Sequence, residues 1–229
     1  MSEKRELIKA RADGLVINTP GIATIETQYT ITDPSVNPRH YPHWGILRVP
    51  ATGERFLLTD RSFTGRPFAD GGIDKFFGNI PSRLIREKQQ TKVVVNVVDI
   101  GGGKKSASAK EIAETYPRTV VTNIDLVIEQ ERTNNNLTEK PGSILKIPLE
   151  DRTADLVYTH QVVPFLTKDR AKIAVAEVAR LLVKGGFGII DDGHFSRDEQ
   201  EVKKLEQDLG IKVSTAPKSY GERFLLLYG

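Results

Sequence analysis

A glycine-rich turn at residues 97–103 holds the residue types that let a protein backbone approach a ligand closely. The run VVDIGGG ends an apolar segment and precedes a segment that predicts a helix starting near Ser106. Glycine leaves room for a ligand and tolerates unusual backbone dihedrals. A helix N-terminus adds unpaired N–H groups and the positive end of the helix dipole. Because many nucleotide-binding folds use such a turn, it predicts only a site for a nucleotide-like ligand.

A carboxylate ends the next apolar segment. The run TVVTNID closes on Asp125, 24 positions after Gly101. A carboxylate at the tip of the second strand can accept hydrogen bonds from two ribose hydroxyls. The alternative is an ordinary turn residue at a strand end, and the glycine turn upstream favours the ribose interpretation.

Two histidines also follow apolar runs. His160 comes after ADLVYT, and His194 comes after Asp191-Asp192. A histidine with two carboxylates could bind a divalent metal, but solvated loop charges give the same pattern, and we predict no metal site. His160 is a candidate general base.

The elements that would position these residues begin at Lys92. From there, near-continuous apolar runs alternate with helical segments, a pattern typical of a doubly wound, mostly parallel sheet. Strands are predicted at KVVVNVVDI, TVVTNID, SILKIP, ADLVYTHQV, FGIIDD, IKVSTA and RFLLLYG. Helices are predicted at 106–116, 128–136, 167–183 (stopped by Gly185-Gly186) and 196–209 (capped by Ser196). The short turn between the last two strands predicts antiparallel pairing.

Taken together, residues 93–192 resemble a class I S-adenosylmethionine-dependent methyltransferase of the small-molecule type. Four segments carry the resemblance, in register: VVDIGGG, NIDL, GSILKIPLEDRTADLVYTHQVVPFL and AEVARLLVKGGFGIIDD. The resemblance implies a three-layer Rossmann-like α/β sandwich. Its seven-stranded, mostly parallel sheet would have the order 3-2-1-4-5-7-6, with the last strand antiparallel.

The resemblance also implies S-adenosylmethionine as cofactor and assigns its site by position. Residues around the first strand end would shape the pocket for the methionine part of the cofactor: Asp99, Gly101, Gly102 and Gly103. Residues after the second and third strands would hold the ribose and edge the adenine: Asp125, Leu126, Ser143 and Ile144. His160 and Gln161 would lie beneath the sulfonium.

Two positions depart from the family pattern. Lys105, next to Lys104, replaces the third glycine, and Ser143 stands where an aspartate often binds the adenine amino group. These departures keep a second hypothesis open, a methyltransferase-like binding or scaffold module without catalysis. A nicotinamide-dependent oxidoreductase is a third, weaker alternative, because the glycine turn lacks that fingerprint's usual last glycine.

Residues 1–91 are predicted to form an N-terminal extension, rich in strands and loops, to a cofactor domain at 92–229. Strands are predicted within 14–32 and a hairpin at 46–59, joined by a proline-rich loop at 33–45. The rings of His40, Tyr41, His43 and Trp44 in that loop predict either a packing element or a substrate cap.

The charge and composition of the chain limit the kinds of partner that it is expected to bind. Residues 1–92 carry 14 Lys and Arg against 10 Asp and Glu, so binding of nucleic acid is permitted without being indicated. The chain has no cysteine, no signal-peptide pattern and no long apolar run. We therefore expect a cytoplasmic protein that does not bind membranes, and the resemblance implies a small-molecule acceptor.

Overall fold

Eight strands form the central sheet of the protein. The computed structural model describes residues 24–30, 43–49, 54–59, 65–69, 72–218 and 223–229. The strands of this sheet are β4 (Val95–Ile100), β5 (Thr119–Asp125), β6 (Arg132–Asn134), β7 (Leu137–Pro141), β8 (Ala154–Thr159), β9 (Leu182–Ile190), β10 (Lys212–Pro217) and β11 (Arg223–Tyr228).

The sheet has the order β10-β11-β9-β8-β4-β5-β7-β6. The five strands from β9 to β7 pair in parallel, whereas β11 runs antiparallel to both β9 and β10. With β7 as the third strand, this is the predicted order 3-2-1-4-5-7-6. The extra strand β6 pairs antiparallel with β7 at the edge and brings the count to eight instead of seven.

The third strand lies earlier in the chain than predicted. The segment SILKIP forms a turn with an isolated bridge between Ser143 and Lys146, and the predicted helix at 128–136 is absent. In its place β6 and β7 form a hairpin through Asn135 and Asn136, with Asn135 at φ 52°. Asparagine tolerates this left-handed conformation, which favours a tight hairpin over a helix.

Among the residues that the structure describes, five helices cover the sheet: α1 (Ile73–Phe76), α2 (Ile80–Thr91), α3 (Ala107–Thr115), α4 (Lys168–Leu181) and α5 (Glu199–Leu209). The helices α3, α4 and α5 correspond to three of the predicted helices. However, Gly185-Gly186 lies inside β9 and does not end α4. The cap of α5 is Asp198, not Ser196, because its carboxylate accepts the N–H groups of Gln200 and Glu201.

Two apolar clusters fill the layers on either side of the sheet. One joins α4 and α5 to the sheet, with Val175, Val178 and Leu205 at its centre. The other joins α2 and α3 to the opposite face and includes Phe68 and Phe77. The stretch 65–91, which the sequence placed in the extension, therefore contributes to the same core as the sheet.

Upstream, three strands form a separate antiparallel sheet in the order β1-β2-β3: β1 (Thr24–Thr30), β2 (His43–Val49) and β3 (Glu54–Thr59). The hairpin predicted at 46–59 is present, and β2 begins three residues before it, inside the predicted loop. His40 and Tyr41 lie outside the described residues. Within the described residues, no helix is both long and apolar enough to cross a membrane.

Candidate functional site

The carboxyl ends of β4, β5, β8 and β9 meet at one edge of the sheet, where open α/β folds bind their ligands. Most of the predicted site residues lie in the last two residues of β4, β5 and β8 or directly after these strands: Asp99, Gly101, Gly102, Gly103, Asp125, Leu126, His160 and Gln161. Ser143 and Ile144 follow β7, the next strand along the same edge.

The glycine turn takes conformations that other residues avoid. Gly101 has φ 85° and Gly103 has φ 77°, both left-handed. The Gly101 N–H donates to the Ile124 carbonyl at 2.8 Å, which ties the turn to the end of β5. A Cβ at Gly101 would lie 2.2 Å from Cγ2 of Val162, so the residues after β8 pack directly on the turn.

The middle glycine lies directly over two polar side chains. A Cβ at Gly102 would be 2.5 Å from Oδ2 of Asp99 and 2.5 Å from Oδ1 of Asn123. Real Cβ atoms essentially never approach that closely. The close packing explains why this position must be glycine whether or not a ligand is bound.

Asp125 joins the two strand ends. Its Oδ2 accepts the Gly103 N–H at 2.8 Å, and its Oδ1 accepts the Val127 N–H at 3.0 Å. Burial raises the pKa of this carboxyl to about 6, against the opposing effect of the backbone N–H groups. An ionised carboxylate offers about four acceptor positions, so each oxygen can accept a further hydrogen bond from a ligand.

Asp99 lies beneath the turn. Its side chain is buried, and its Oδ2 accepts a hydrogen bond from the Ser108 hydroxyl, which is 3.0 Å from the Tyr158 hydroxyl. Burial raises the pKa of Asp99 to about 6, although the hydrogen bonds oppose the increase. In this arrangement Asp99 connects the glycine turn to α3.

A second network, which the sequence did not predict, holds the same turn from the β5 side. Asn123 Nδ2 donates to the Gly103 carbonyl at 2.9 Å and to the Ser106 hydroxyl at 2.5 Å. Ser106 has φ 51° and donates to Glu139 on β7 at 2.6 Å. The signal in the sequence was a single asparagine in an otherwise apolar run, which could equally have been a tolerated polar residue.

The positions assigned to the adenine form an apolar group beside Asp125. Leu126 and Ile144 are nearly fully buried and belong to the same cluster as Val127. The Ser143 hydroxyl accepts the Leu145 N–H at 3.2 Å, which shapes the turn after β7.

His160 lies at the end of β8 and faces residues from far upstream. Its Nε2 is 3.2 Å from Arg66 Nη1, and its ring centroid is 4.4 Å from that of Phe76, edge to face. Because arginine can only donate, Nε2 accepts in this contact. The next residue, Gln161, has φ 56° and donates its N–H to Asp191 Oδ2 at 3.1 Å.

The two acidic residues after β9 have separate roles. Asp192 accepts the backbone N–H groups of the three residues from His194 to Ser196 at 2.7–3.2 Å, so its carboxylate is used within its own loop. Asp191 forms a buried ion pair with Lys218, Oδ1 to Nζ, at 2.6 Å. Within the described residues, no group of three or more His, Asp or Glu is arranged to hold a metal.

The two lysines after the glycine turn are both exposed at the surface. Lys104 pairs with Glu129 at 2.5 Å. Lys105 is exposed. The lysine pair that kept the noncatalytic hypothesis open is therefore accommodated at the surface of the turn.

Comparison with known proteins identifies the segment that contains this edge. Residues 98–190 match the family model of a methyltransferase domain. This segment is a class I S-adenosylmethionine-dependent methyltransferase domain. The resemblance drawn from the four motifs is thereby confirmed, and the cofactor of the domain is S-adenosylmethionine. No curated protein sequence matches the chain significantly.

A solved structure with S-adenosylmethionine bound agrees on the fold of the methyltransferase domain. An amino pentose methyltransferase from Micromonospora echinaspora, with S-adenosylmethionine bound, is 12% identical and has a TM-score of 0.52. The match covers 67% of this chain and 91% of that one. A protein from Methanococcus maripaludis, described as an S-adenosylmethionine-dependent methyltransferase, is 17% identical, with a TM-score of 0.46 and coverage of 67% and 87%.

Proposed function

We propose that this chain transfers the methyl group of S-adenosylmethionine to a nucleophilic O, N or C atom of a small-molecule acceptor. The observation that carries the proposal is the glycine turn of the methyltransferase domain, locked to Asp125 by the Gly103 N–H at 2.8 Å. This contact leaves a carboxylate and a glycine backbone side by side at the carboxyl edge of the sheet.

The residues at this edge fit the cofactor. Positive φ at Gly101 and Gly103 supports a backbone that a ligand can approach closely. Asp125 retains free acceptor positions for the two ribose hydroxyls, while Leu126 and Ile144 offer an apolar edge to the adenine. Asp99 supports the turn from below, and Ser143 holds the turn that carries Ile144.

The reaction requires the chain chiefly to bind and orient. When bound, S-adenosylmethionine supplies a methyl group on a positively charged sulfur, an activated leaving group. Holding an acceptor atom in line with that methyl group lowers much of the barrier by positioning alone. His160 and Gln161, at the end of β8, are the residues we propose to face the sulfonium and the acceptor.

His160 is the proposed general base for acceptors that must lose a proton. Its Nε2 already accepts from Arg66, which places the ring proton on Nδ1, so the base role requires that the acceptor displace Arg66 from Nε2 when it binds. An acceptor that is already anionic or carries an unprotonated amine needs no such step.

Calorimetry on the full chain tests the proposal. S-adenosylmethionine and its product S-adenosylhomocysteine should both bind, and NAD should not. Binding of NAD alone would favour the oxidoreductase alternative. Failure of all three ligands to bind a folded chain would overturn the proposal.

A further inference from the structure

Two Lys–Asp pairs, each with a buried carboxylate, lie at opposite ends of the sheet; the Lys218 side chain is buried as well, whereas that of Lys92 is 40% exposed. At the amino end, Lys92 Nζ is 2.5 Å from Oδ1 of Asp155, near the start of β8. At the carboxyl end, Lys218 Nζ is 2.6 Å from Oδ1 of Asp191, just after β9. In each pair the second carboxylate oxygen accepts a backbone N–H: from Asn96 at 2.9 Å in the first, and from Gln161 at 3.1 Å in the second.

The backbone held by the second pair is a strained turn at residues 160–162, here called the post-β8 turn. Gln161 has φ 56°, a left-handed conformation that costs a non-glycine residue free energy. Such a conformation persists only where surrounding contacts fix it, and the Asp191 carboxylate supplies one at the strained residue itself.

The post-β8 turn touches both halves of the proposed site. On one side, the methyl carbon Cγ2 of Val162 packs against the glycine turn, only 2.2 Å from where a Cβ on Gly101 would lie. On the other side, His160 contacts Arg66 and Phe76. The Lys218 ammonium itself lies 5.4 Å from the Phe76 ring centroid. A shift at Gln161 would therefore move the surface that packs on the glycine turn.

We infer that Lys218 is a positioning residue of the methyltransferase site. It neutralises Asp191, and Asp191 fixes the post-β8 turn against Gly101 and His160. The inference rests on the proposed function, because it concerns the same cofactor site. It names a residue 28 positions beyond the end of the matched family segment.

Stability alone is a weak reason for a lysine at this place. Burying two charges costs solvation, and replacing a buried ion pair with apolar residues is often neutral or stabilising. Removing one partner, in contrast, leaves an uncompensated buried charge. Changing both residues together therefore separates the effect of the pair on the post-β8 turn from the cost of leaving one buried charge unpaired.

Four variants of the full chain make that separation. Lys218→Met leaves Asp191 unpaired. Lys218→Met/Asp191→Asn removes both charges and keeps an oxygen for the Gln161 N–H, whereas Lys218→Met/Asp191→Leu removes both charges and that acceptor. Lys92→Met breaks the Lys92–Asp155 pair at the far end of the sheet, whose carboxylate is buried like that of Asp191.

The measurements are the calorimetric affinity for S-adenosylhomocysteine and NMR of the Gln161 amide and the His160 ring, one of only four histidines. Relative to Lys92→Met, we expect Lys218→Met to weaken binding about tenfold. The Asp191→Asn double variant should return to within about twofold of wild type. The Asp191→Leu double variant should stay weak, with both NMR signals shifted.

Equal affinity in the Asn and Leu double variants, with unmoved NMR signals, would overturn the inference, even if Lys218→Met alone failed to fold. So would a Lys218→Met affinity equal to that of Lys92→Met. Failure of the wild-type chain to bind would instead overturn the proposed function. The NMR comparison between Lys218→Met and Lys92→Met would then still decide whether Lys218 positions the turn.

Discussion

At the scale of the single residue, Asp125 connects the fold to the proposed chemistry. Its two oxygens accept N–H groups from the glycine turn and from the residues after β5. These bonds orient the carboxylate before any ligand arrives, so a ligand that bound to its remaining acceptor positions would need little further ordering of the side chain. Such preorganisation lowers the entropic cost of binding.

Replacing Asp125 should therefore weaken the cofactor much more than it weakens the fold. Asp125→Asn keeps the shape but loses the charge, and charge-assisted hydrogen bonds contribute about 1.5–3 kcal/mol each at best. We expect at least tenfold lower affinity for S-adenosylhomocysteine by calorimetry, about 1.4 kcal/mol. Asp208→Asn, an exposed residue on α5, is the control. Unchanged affinity in a folded Asp125→Asn chain would remove the ribose assignment.

The raised pKa of Asp125, about 6, predicts how cofactor binding depends on pH. Ribose hydroxyls donate to the ionised carboxylate, so protonation as the pH falls through 6 should weaken binding. For one group with that pKa, affinity should fall about tenfold between pH 7 and pH 5. Asp99 has a similar pKa, so the profile must be measured in Asp125→Asn and in Asp99→Asn. If the slope survives in Asp125→Asn, Asp99 or another group causes it.

The same two pKa values predict the opposite trend for stability without cofactor. Both pKa values are raised in the folded state from the ordinary value of 3.8, so the folded state binds protons more tightly than the unfolded chain. Their stabilising contribution is complete below about pH 4 and is lost as the pH rises through 6. Between pH 5 and 7 the melting temperature of Asp99→Asn/Asp125→Asn should therefore rise relative to wild type. A constant difference across that range would contradict the raised pKa values.

At the scale of the element, the glycine turn and the post-β8 turn pack together as one unit. Gly101 combines a positive φ with a close neighbour, because its ideal Cβ position is only 2.2 Å from a methyl group of Val162. Gly78 shares the positive φ, at 65°, but has nothing within 4 Å of its ideal Cβ. Substitutions at these two glycines can therefore distinguish the effect of backbone strain from the effect of a steric collision.

Gly101→Ala should lose cofactor affinity through the collision, whereas Gly78→Ala should show only the strain. Truncating the facing side chain in Gly101→Ala/Val162→Ala relieves the contact and should recover part of the affinity. Calorimetry with S-adenosylhomocysteine, alongside thermal unfolding, measures both effects. We expect a loss of about tenfold or more for Gly101→Ala and little change for Gly78→Ala. Native affinity in Gly101→Ala would place the ligand elsewhere.

The elements that could be read from the sequence were those whose pattern depends on their own residues. The buried runs of β4, β5 and β8 and the glycine turn have one dominant interpretation. In contrast, β7 reads LTEKP, a polar run at the edge of the parallel sheet, and SILKIP upstream of β8 was the more apolar competitor. Gly185-Gly186 resembled a helix stop, but tertiary pairing placed it inside β9.

The residues of the candidate site also fall into two groups, those that the sequence predicted and those that it did not. Asp125 and the three glycines follow directly from motif and spacing. Arg66, Asn123 and Lys218 were missed because their roles depend on contacts across 94, 20 and 27 positions of the chain, with His160, Gly103 and Asp191. A single arginine, asparagine or lysine carries no local signal of such a partner.

At the scale of the whole molecule, side chains from before residue 92 are buried in the core of the methyltransferase domain. The sequence placed the boundary of the domain at residue 92, where the apolar alternation begins. Yet Phe77 is fully buried, with its ring centroid 4.9 Å from that of Phe224 on β11, and Ile85 of α2 is fully buried in the same cluster. The Phe68 N–H also donates to Glu111 of α3 at 2.6 Å. We therefore propose that residues 65–91 are part of the folding unit.

If they are, a chain that starts at residue 92 should not fold cooperatively, because it exposes the face of the sheet that α2 and Phe77 cover. In the full chain, Phe77→Ala should lower the free energy of unfolding by about 3–5 kcal/mol, since it removes a fully buried aromatic ring. Ile173→Ala is the control: its side chain is 42% exposed on α4, so the expected change is only about 0.5 kcal/mol. Urea unfolding of both variants, with circular dichroism of the 92–229 chain, measures the difference. A 92–229 chain that unfolds in one sharp transition and still binds S-adenosylhomocysteine would return the boundary to residue 92 and leave 65–91 as a packing element.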